Sequence, residues 1–211
     1  MPSTAVSAQG TTFKVGVTAA AKTMSASTKA NPVVVTSAAH GFLGGEVVLF
    51  SSVTGQPELN GRVGVVTVVS TNTFSCKGID MSAAAAAGTA GSATPTAVVV
   101  GNVKDYSGLD GAKASIDVTN MASDAKEYRD GLQDSGKFTI NLHTLDSDQG
   151  QQALMGSKAT TGYLSTFVVT LPNGKIRTFS GFVTKFSEQA GVDGVVAGAC
   201  DIQISGAVAF T

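Results

Sequence analysis

The alternation of Phe138, Ile140 and Leu142 with Thr139, Asn141 and His143 constrains the fold most, because a two-residue period puts one set on each face of an extended strand. The same period recurs over 196–210, with Val196, Cys200, Ile202, Ile204, Val208 and Phe210 on one face and Asp201, Gln203 and Ser205 on the other. Between these stretches, Phe167, Val169 and Leu171 run into Pro172-Asn173-Gly174, and Asn-Gly signals a tight hairpin because both residues tolerate positive φ. The spacing predicts a hairpin over 165–186. Only 148–158 reads as a helix, with Asp146 or Ser147 as its N-cap and Leu154 and Met155 available to a core. The fold class expected is mainly β: an antiparallel β-sandwich or barrel-forming host domain with one α-helix, plus a small all-β inserted domain.

The insertion is read from punctuation. Residues 10–18 form a first strand, and 19–30 are small, polar and weakly structured. From 31 to 74, short β-branched runs alternate with turn clusters at HGFLGG, TGQPELNG and STN, the pattern of a small β module. The stretch 78–96, rich in Ala, Gly, Ser and Thr, reads as a linker. These boundaries give a host domain of 1–27 and 95–211 and an inserted module of 28–94.

Composition narrows the function classes. With 43% hydrophobic and 14% charged residues, 25 Gly and no Trp, the chain is globular and β-rich. Its length allows about 70% of the unfolded surface to be buried. Net charge is −1; residues 1–29 carry three lysines and no acid, whereas 105–150 carry nine acids against four bases. Lys and Arg are too few and too scattered for the phosphate neutralisation of ordinary DNA binding. Cys76 and Cys200 read as buried free thiols of a reducing compartment. The start, MPSTAVSAQG, lacks a basic region and an apolar core, and no stretch reaches spanning length, so synthesis in the cytoplasm without a membrane is expected.

Each catalytic or ligand motif fails on spacing. Gly131–Phe138 nearly spells a phosphate-binding loop, but Phe138 stands where a magnesium-coordinating hydroxyl belongs, and a strand follows where a helix must open. Asp146-Ser147-Asp148 starts like a calcium loop, yet Ser157 replaces the bidentate Glu, so a helix cap with favourable first-turn acids is the better reading. His40 and His143 have no Cys or second His at ligand spacing, and no G-x-S-x-G elbow occurs. No catalytic residue, metal or cofactor is expected.

Three motifs carry a resemblance: Val103-Lys104-Asp105-Tyr106-Ser107-Gly108, Ile116-Asp117-Val118-Thr119, and Gly131-Leu132-Gln133-Asp134-Ser135-Gly136. It continues through DSDQGQQAL at 146–154, LPNGKIRTFSGFVTKFS at 171–187 and DIQISGAV at 201–208. In these stretches the chain resembles the tail tube (major tail) proteins of long-tailed, non-contractile bacteriophages. The phrases TSAAHG and ELNGR in the module are similar to small β domains of phage tail and virion proteins.

The resemblance implies a structural virion protein, assembled in the host cytoplasm, whose subunits close into hexameric rings. The rings stack, and one sheet of each subunit joins a continuous barrel around a lumen. It also implies as partners the protein itself, tail-tip and tail-terminator proteins, and the tape measure protein and transiting DNA in the lumen. The acid-rich span would be the loop that reaches a neighbouring ring, through Asp105, Tyr106, Asp110, Lys113, Asp117, Asp124, Lys126, Glu127, Arg129, Asp130 and Asp134. Thr139, Asn141, Asp201, Gln203 and Ser205 are the candidates for a lumen wall, which should present polar or acidic groups instead of Lys and Arg so that phosphates slide past. A module spliced in at 28–94 must project where it leaves ring closure free, which puts it on the outer surface. Two other classes share the composition: the tube of a contractile tail or related secretion system, and a free virion-surface or glycan-binding β module, which the scarcity of aromatics disfavours.

Overall fold

A computed structural model describes residues 7–211; the first six residues of the N-terminal stretch read as lacking a leader lie outside it. The described chain runs β1 (Thr12–Val15), β2 (Lys22–Met24), β3 (Ala26–Ser27), β4 (Val33–Thr36), β5 (Val47–Thr54), β6 (Val63–Ser70), β7 (Thr73–Lys77), β8 (Ala90–Pro95), β9 (Val98–Val99) and β10 (Val103–Gly108). It continues with β11 (Ala112–Asp117), β12 (Tyr128–Asp134), β13 (Lys137–His143), α1 (Gln149–Ala159), β14 (Ser165–Thr170), β15 (Ile176–Gln189) and β16 (Ala197–Phe210). The protein is mainly β with one α-helix among the described residues, as the alternation requires.

The first seven-stranded sheet has the antiparallel order β10-β13-β16-β15-β14-β1-β9. Its two edge strands, β9 and β10, are consecutive in the chain and joined only through Val100–Asn102, so the sheet curls into a half-barrel until its ends approach. Phe138, Ile140 and Leu142 are buried, while Thr139, Asn141 and His143 stay half-exposed on the other face. Inside, Phe13, Phe138, Phe179 and Phe167 form a closed circuit of rings with centroids 5.6, 5.1, 5.5 and 5.7 Å apart in turn. The predicted hairpin is β14–β15, and Gly174 supplies the positive φ (81°) of its turn. On β16, Cys200, Ile202 and Ile204 are buried, but Val208 is half-buried and Phe210 exposed, while Val196, expected on the same face, lies exposed just before the strand. Beyond Gln203 the strand outruns β13, and Gly206 at φ 85° interrupts the expected face.

A helix lies where predicted, but its cap is Asp148 and not Asp146 or Ser147, and no acid sits in its first turn; Asp148 Oδ1 accepts from Gln151 N (2.8 Å) and Oδ2 from Gly101 N (3.2 Å). Leu154 joins the barrel core and Met155 is half-buried. Buried Gln151 donates through Nε2 to the carbonyls of Gly101 (3.1 Å) and His143 (3.0 Å) and accepts from Leu145 N (2.9 Å). One side-chain amide thus holds the seam between β9 and β10 to the end of β13. Gln151→Leu leaves three backbone groups without partners and is expected to cost about 3 kcal/mol, read as a shifted denaturant midpoint at unchanged slope. A loss below about 0.5 kcal/mol would show that the seam closes without it.

The second seven-stranded sheet, β2-β8-β5-β6-β7-β4-β3, is drawn wholly from Lys22–Pro95, and a bridge between Ser27 and Gly88 brings β3 back towards β8. Two sequence readings need correction. Residues 19–30, read as weakly structured, supply β2 and β3. The supposed linker at 78–96 buries Ile79, Met81 and Ala84 and supplies β8, flanked by β2 and β5. Backbone pairing on both sides outweighs the weak strand propensity of Ala, Gly and Ser there. His40 is a core residue against Phe42 and Phe74: Nδ1 accepts from Phe42 N, which leaves Nε2–H to donate to Ser70 O, both at 3.0 Å.

This sheet is seated on α1. Val47 and Val65 belong to the barrel's core cluster, and Gln149 Nε2 donates to Val63 O. Gly45 and Gly156 meet backbone to backbone: a Cβ on Gly45 would lie 2.5 Å from Ser157 N, and one on Gly156 2.7 Å from Gly45 Cα.

Candidate assembly surfaces

The acid-rich span read as a loop is a β-ribbon. β11 and β12 pair with each other alone, and all but Gly131 of their residues are exposed. Lys113 Nζ sits 2.9 Å from Asp130 Oδ2 across the ribbon, an exposed pair worth about 0–1 kcal/mol. Asp117 accepts from Thr119 N (2.9 Å), and contacts with Thr119 hold its carboxyl below the usual carboxylate range. Asp124, Lys126 and Glu127 lie at the tip, where Glu127 N donates to Thr119 Oγ1 (3.0 Å). Arg129 stands opposite Ile116, and Asp134 closes the turn into β13 by accepting from Gly136 N (2.9 Å).

Two of the named residues sit off the ribbon on β10. Asp105 accepts from Asn141 Nδ2 (2.5 Å), and Tyr106 turns its ring onto Phe138 with centroids 5.5 Å apart, serving the core. Asp110 lies in the turn between β10 and β11. Sequence reasoning also missed the ribbon's apolar side chains: Ile116, Val118, Met121, Tyr128 and Leu132 are all exposed. Their spacing within the acidic stretch was a visible signal, hidden by treating the span as polar.

Four of the five wall candidates come together on the outer face of β13 and β16. Thr139 Oγ1 donates to Asp201 Oδ1 (2.9 Å), Asn141 lies two residues along, and Gln203 Nε2 reaches Gly136 O (3.1 Å). Ser205 lies beyond the end of β13, opposite Ser180 of β15. The face is not free of cations, as the lumen argument expected: Lys185 lies directly across from Asp201, and Lys137 and Phe182 flank Gln203. A register shift between Val183 and Lys185 turns Lys185 onto this face, which period-two counting cannot foresee.

The rejected motifs are structural here. Gly131–Phe138 spans the end of β12, the turn at Ser135–Gly136 and the start of β13, not a helix start, and Asp146–Asp148 leads into the helix with Asp148 as its cap. Among the described residues no group of three or more His, Cys, Asp or Glu side chains is placed to hold a metal, and no helix is long and apolar enough to cross a membrane. Cys76 and Cys200 are free and buried; burial pushes both thiols up, that of Cys200 to about 12.

Residues 85–178, just under half the chain, match the family described as phage tail tube, TTP, lambda-like. No curated protein matches. Among solved structures, the tail of an empty gene transfer agent particle, refined helically with C6 symmetry, is 17% identical over 54% of this chain and 85% of that one, with a TM-score of 0.46. The virion of a native gene transfer agent particle gives 17% identity over 54% and 88%, with a TM-score of 0.46. A six-fold symmetrised baseplate of the anti-feeding prophage gives 8% identity over 56% and 85%, with a TM-score of 0.45.

Proposed function

We propose that this chain, which carries the lambda-like phage tail tube signature over residues 85–178, is the structural subunit of a virion tail tube, polymerising as stacked hexameric rings into a conduit for genome delivery. The family match carries this reading, and the geometry supports it. A curled sheet with a free edge at β10 and an exposed two-stranded ribbon beside it is half of an interface: ring closure satisfies the edge, and the ribbon, with five exposed apolar side chains, reaches the next ring. Six copies per ring, contact with tail-tip, terminator and tape measure proteins, and assembly in the host cytoplasm belong to this proposal. So does the absence of catalysis.

The same reading assigns the face of Thr139, Asn141, Asp201 and Gln203 to the lumen, where mixed charges offer transiting DNA no continuous cationic track. It assigns the 28–94 module to the outer surface. The module's support is its seat on α1, whose Leu154 packs in the same core as Ile202, on the opposite side of the sheet from Asp201.

Electron microscopy of the purified protein over a rising concentration series tests the proposal. Hollow rings and then stacked tubes are expected as mass action takes hold, with the Asp201 face inside and the module outside in a reconstruction. Discrete monomers throughout, including with a tail-tip initiator present, would overturn the subunit reading; tubes with the Asp201 face outside would overturn the lumen assignment alone.

A further inference from the structure

The two longest strands, β15 and β16, form a single ribbon whose ends have opposite chemistry. At one end the connecting loop carries Val192, Val195 and Val196, exposed at 104%, 69% and 43%. The charges carried by 186–200 are the acids Glu188 and Asp193, with no Lys or Arg; Asp146 lies beside Glu188 and Val196, and Lys104 lines the groove on the other side of Glu188. At the other end Phe210 is 66% exposed, with the Arg177 guanidinium 5.8 Å above its ring and Ile176 exposed beside it. Lys175 and Arg177 are the charges there, and no acid occurs from 174 to 181 or from 203 to 211. Among the described residues the one ion pair within 4 Å is Lys113–Asp130, so Asp193, Glu188, Lys175 and Arg177 all lack intramolecular ion partners.

We propose that the valine-and-acid loop of one copy docks on the Phe210–Arg177 end of the next, making the β15–β16 ribbon a second axial contact that strings copies head to tail. This rests on the tube-subunit reading and adds to it a surface distinct from the β11–β12 ribbon. The occupant is a second copy because each end supplies what the other lacks: apolar side chains on both, acids on one and cations on the other. Like ends repel, which excludes a two-fold pairing of tips. A heterologous contact between opposite ends of one rigid element does not close on itself and repeats along that element. Fourteen residues at ~3.3 Å each make the ribbon about 45 Å long, so the axial repeat is expected near that length, reduced by strand tilt.

Paired cysteines test the contact. Cys76 and Cys200 are fully buried and leave the background clean. A chain carrying both Val192→Cys and Phe210→Cys, assembled and mildly oxidised, is expected to run on a non-reducing gel as a ladder of trimers, tetramers and longer species. Either single variant can give nothing beyond a dimer. Asp193→Lys is expected to raise the concentration for half-maximal assembly at least tenfold. If the native protein forms tubes and the double-cysteine tubes give no ladder beyond dimer, this contact is wrong and the tube reading stands. If the native protein forms no tubes, the tube reading falls and takes the contact with it.

Discussion

Truncating Phe138 to alanine is expected to destabilise the unassembled subunit by about 4 kcal/mol. The ring is fully buried and closes the aromatic circuit, packing on Phe13 (5.6 Å), Phe179 (5.1 Å) and Tyr106 (5.5 Å). Its removal forfeits transfer free energy, leaves a void walled by other rings that cannot collapse inward, and loses aromatic pairing worth about 0.5–1.5 kcal/mol per contact. Residues across three strands depend on it, because β13 carries Phe138 between β10 and β16. For a chain of this size each kcal/mol moves the midpoint by about 2–4 °C, so thermal unfolding should shift down by roughly 8–16 °C. Phe138→Leu, which keeps most of the volume, should lose less than half as much. A shift under about 3 °C for the alanine variant would mean that the circuit does not close in solution.

Gly45→Ala is expected to cost about 3 kcal/mol or more, for two additive reasons. Gly45 has φ 87°, where any Cβ is strained, and its Cβ would stand 2.5 Å from the backbone nitrogen of Ser157 on α1. That atom cannot swing aside as a side chain end would, so the second sheet must lift off the helix. Gly61→Ala separates the two causes. Gly61 also has positive φ (75°) but nothing within 4 Å of the added atom, so it should show the conformational strain alone, about 1–2 kcal/mol. Hydrogen exchange gives an independent reading: amides of α1 and β6 should lose protection in Gly45→Ala and keep it in Gly61→Ala. Equal losses in the two variants would contradict a tight glycine-to-glycine seat.

Local signals were legible in the sequence and long-range ones were not. The β14–β15 turn, the existence of α1 and the alternation of β13 are each set by residues a few positions apart and fall where the sequence puts them, whereas the helix cap moves to Asp148 because its carboxylate also reaches Gly101 N, 47 residues away. The strands β2, β3 and β8 are held by partners elsewhere in the chain, and their Ala, Ser, Gly and Thr carry no period of their own. The same holds for the candidate surfaces. Thr139 and Asp201 belong to one face because each alternates visibly, whereas Lys185 reaches that face only through a register shift. The β11–β12 ribbon escaped because its charge drew attention away from Ile116 and Leu132, apolar side chains that it leaves exposed.

The pairing of β1 with β14, Thr12 opposite Thr170, has a consequence for how the subunit is made. A chain emerging from the ribosome completes the second sheet once Pro95 is out, because every one of its strands lies between Lys22 and Pro95. β1, although synthesised earlier, must wait for a partner that leaves the ribosome much later, a long-range closure of the kind that slows folding. β16 follows every other described strand, so the ribbon end bearing Phe210 appears only after the rest of the barrel has been produced. If the proposed subunit role holds, the β11–β12 ribbon of a nascent chain is out early but the closed sheet and the β15–β16 ribbon are not, so synthesis order withholds those contacts until a whole subunit is free.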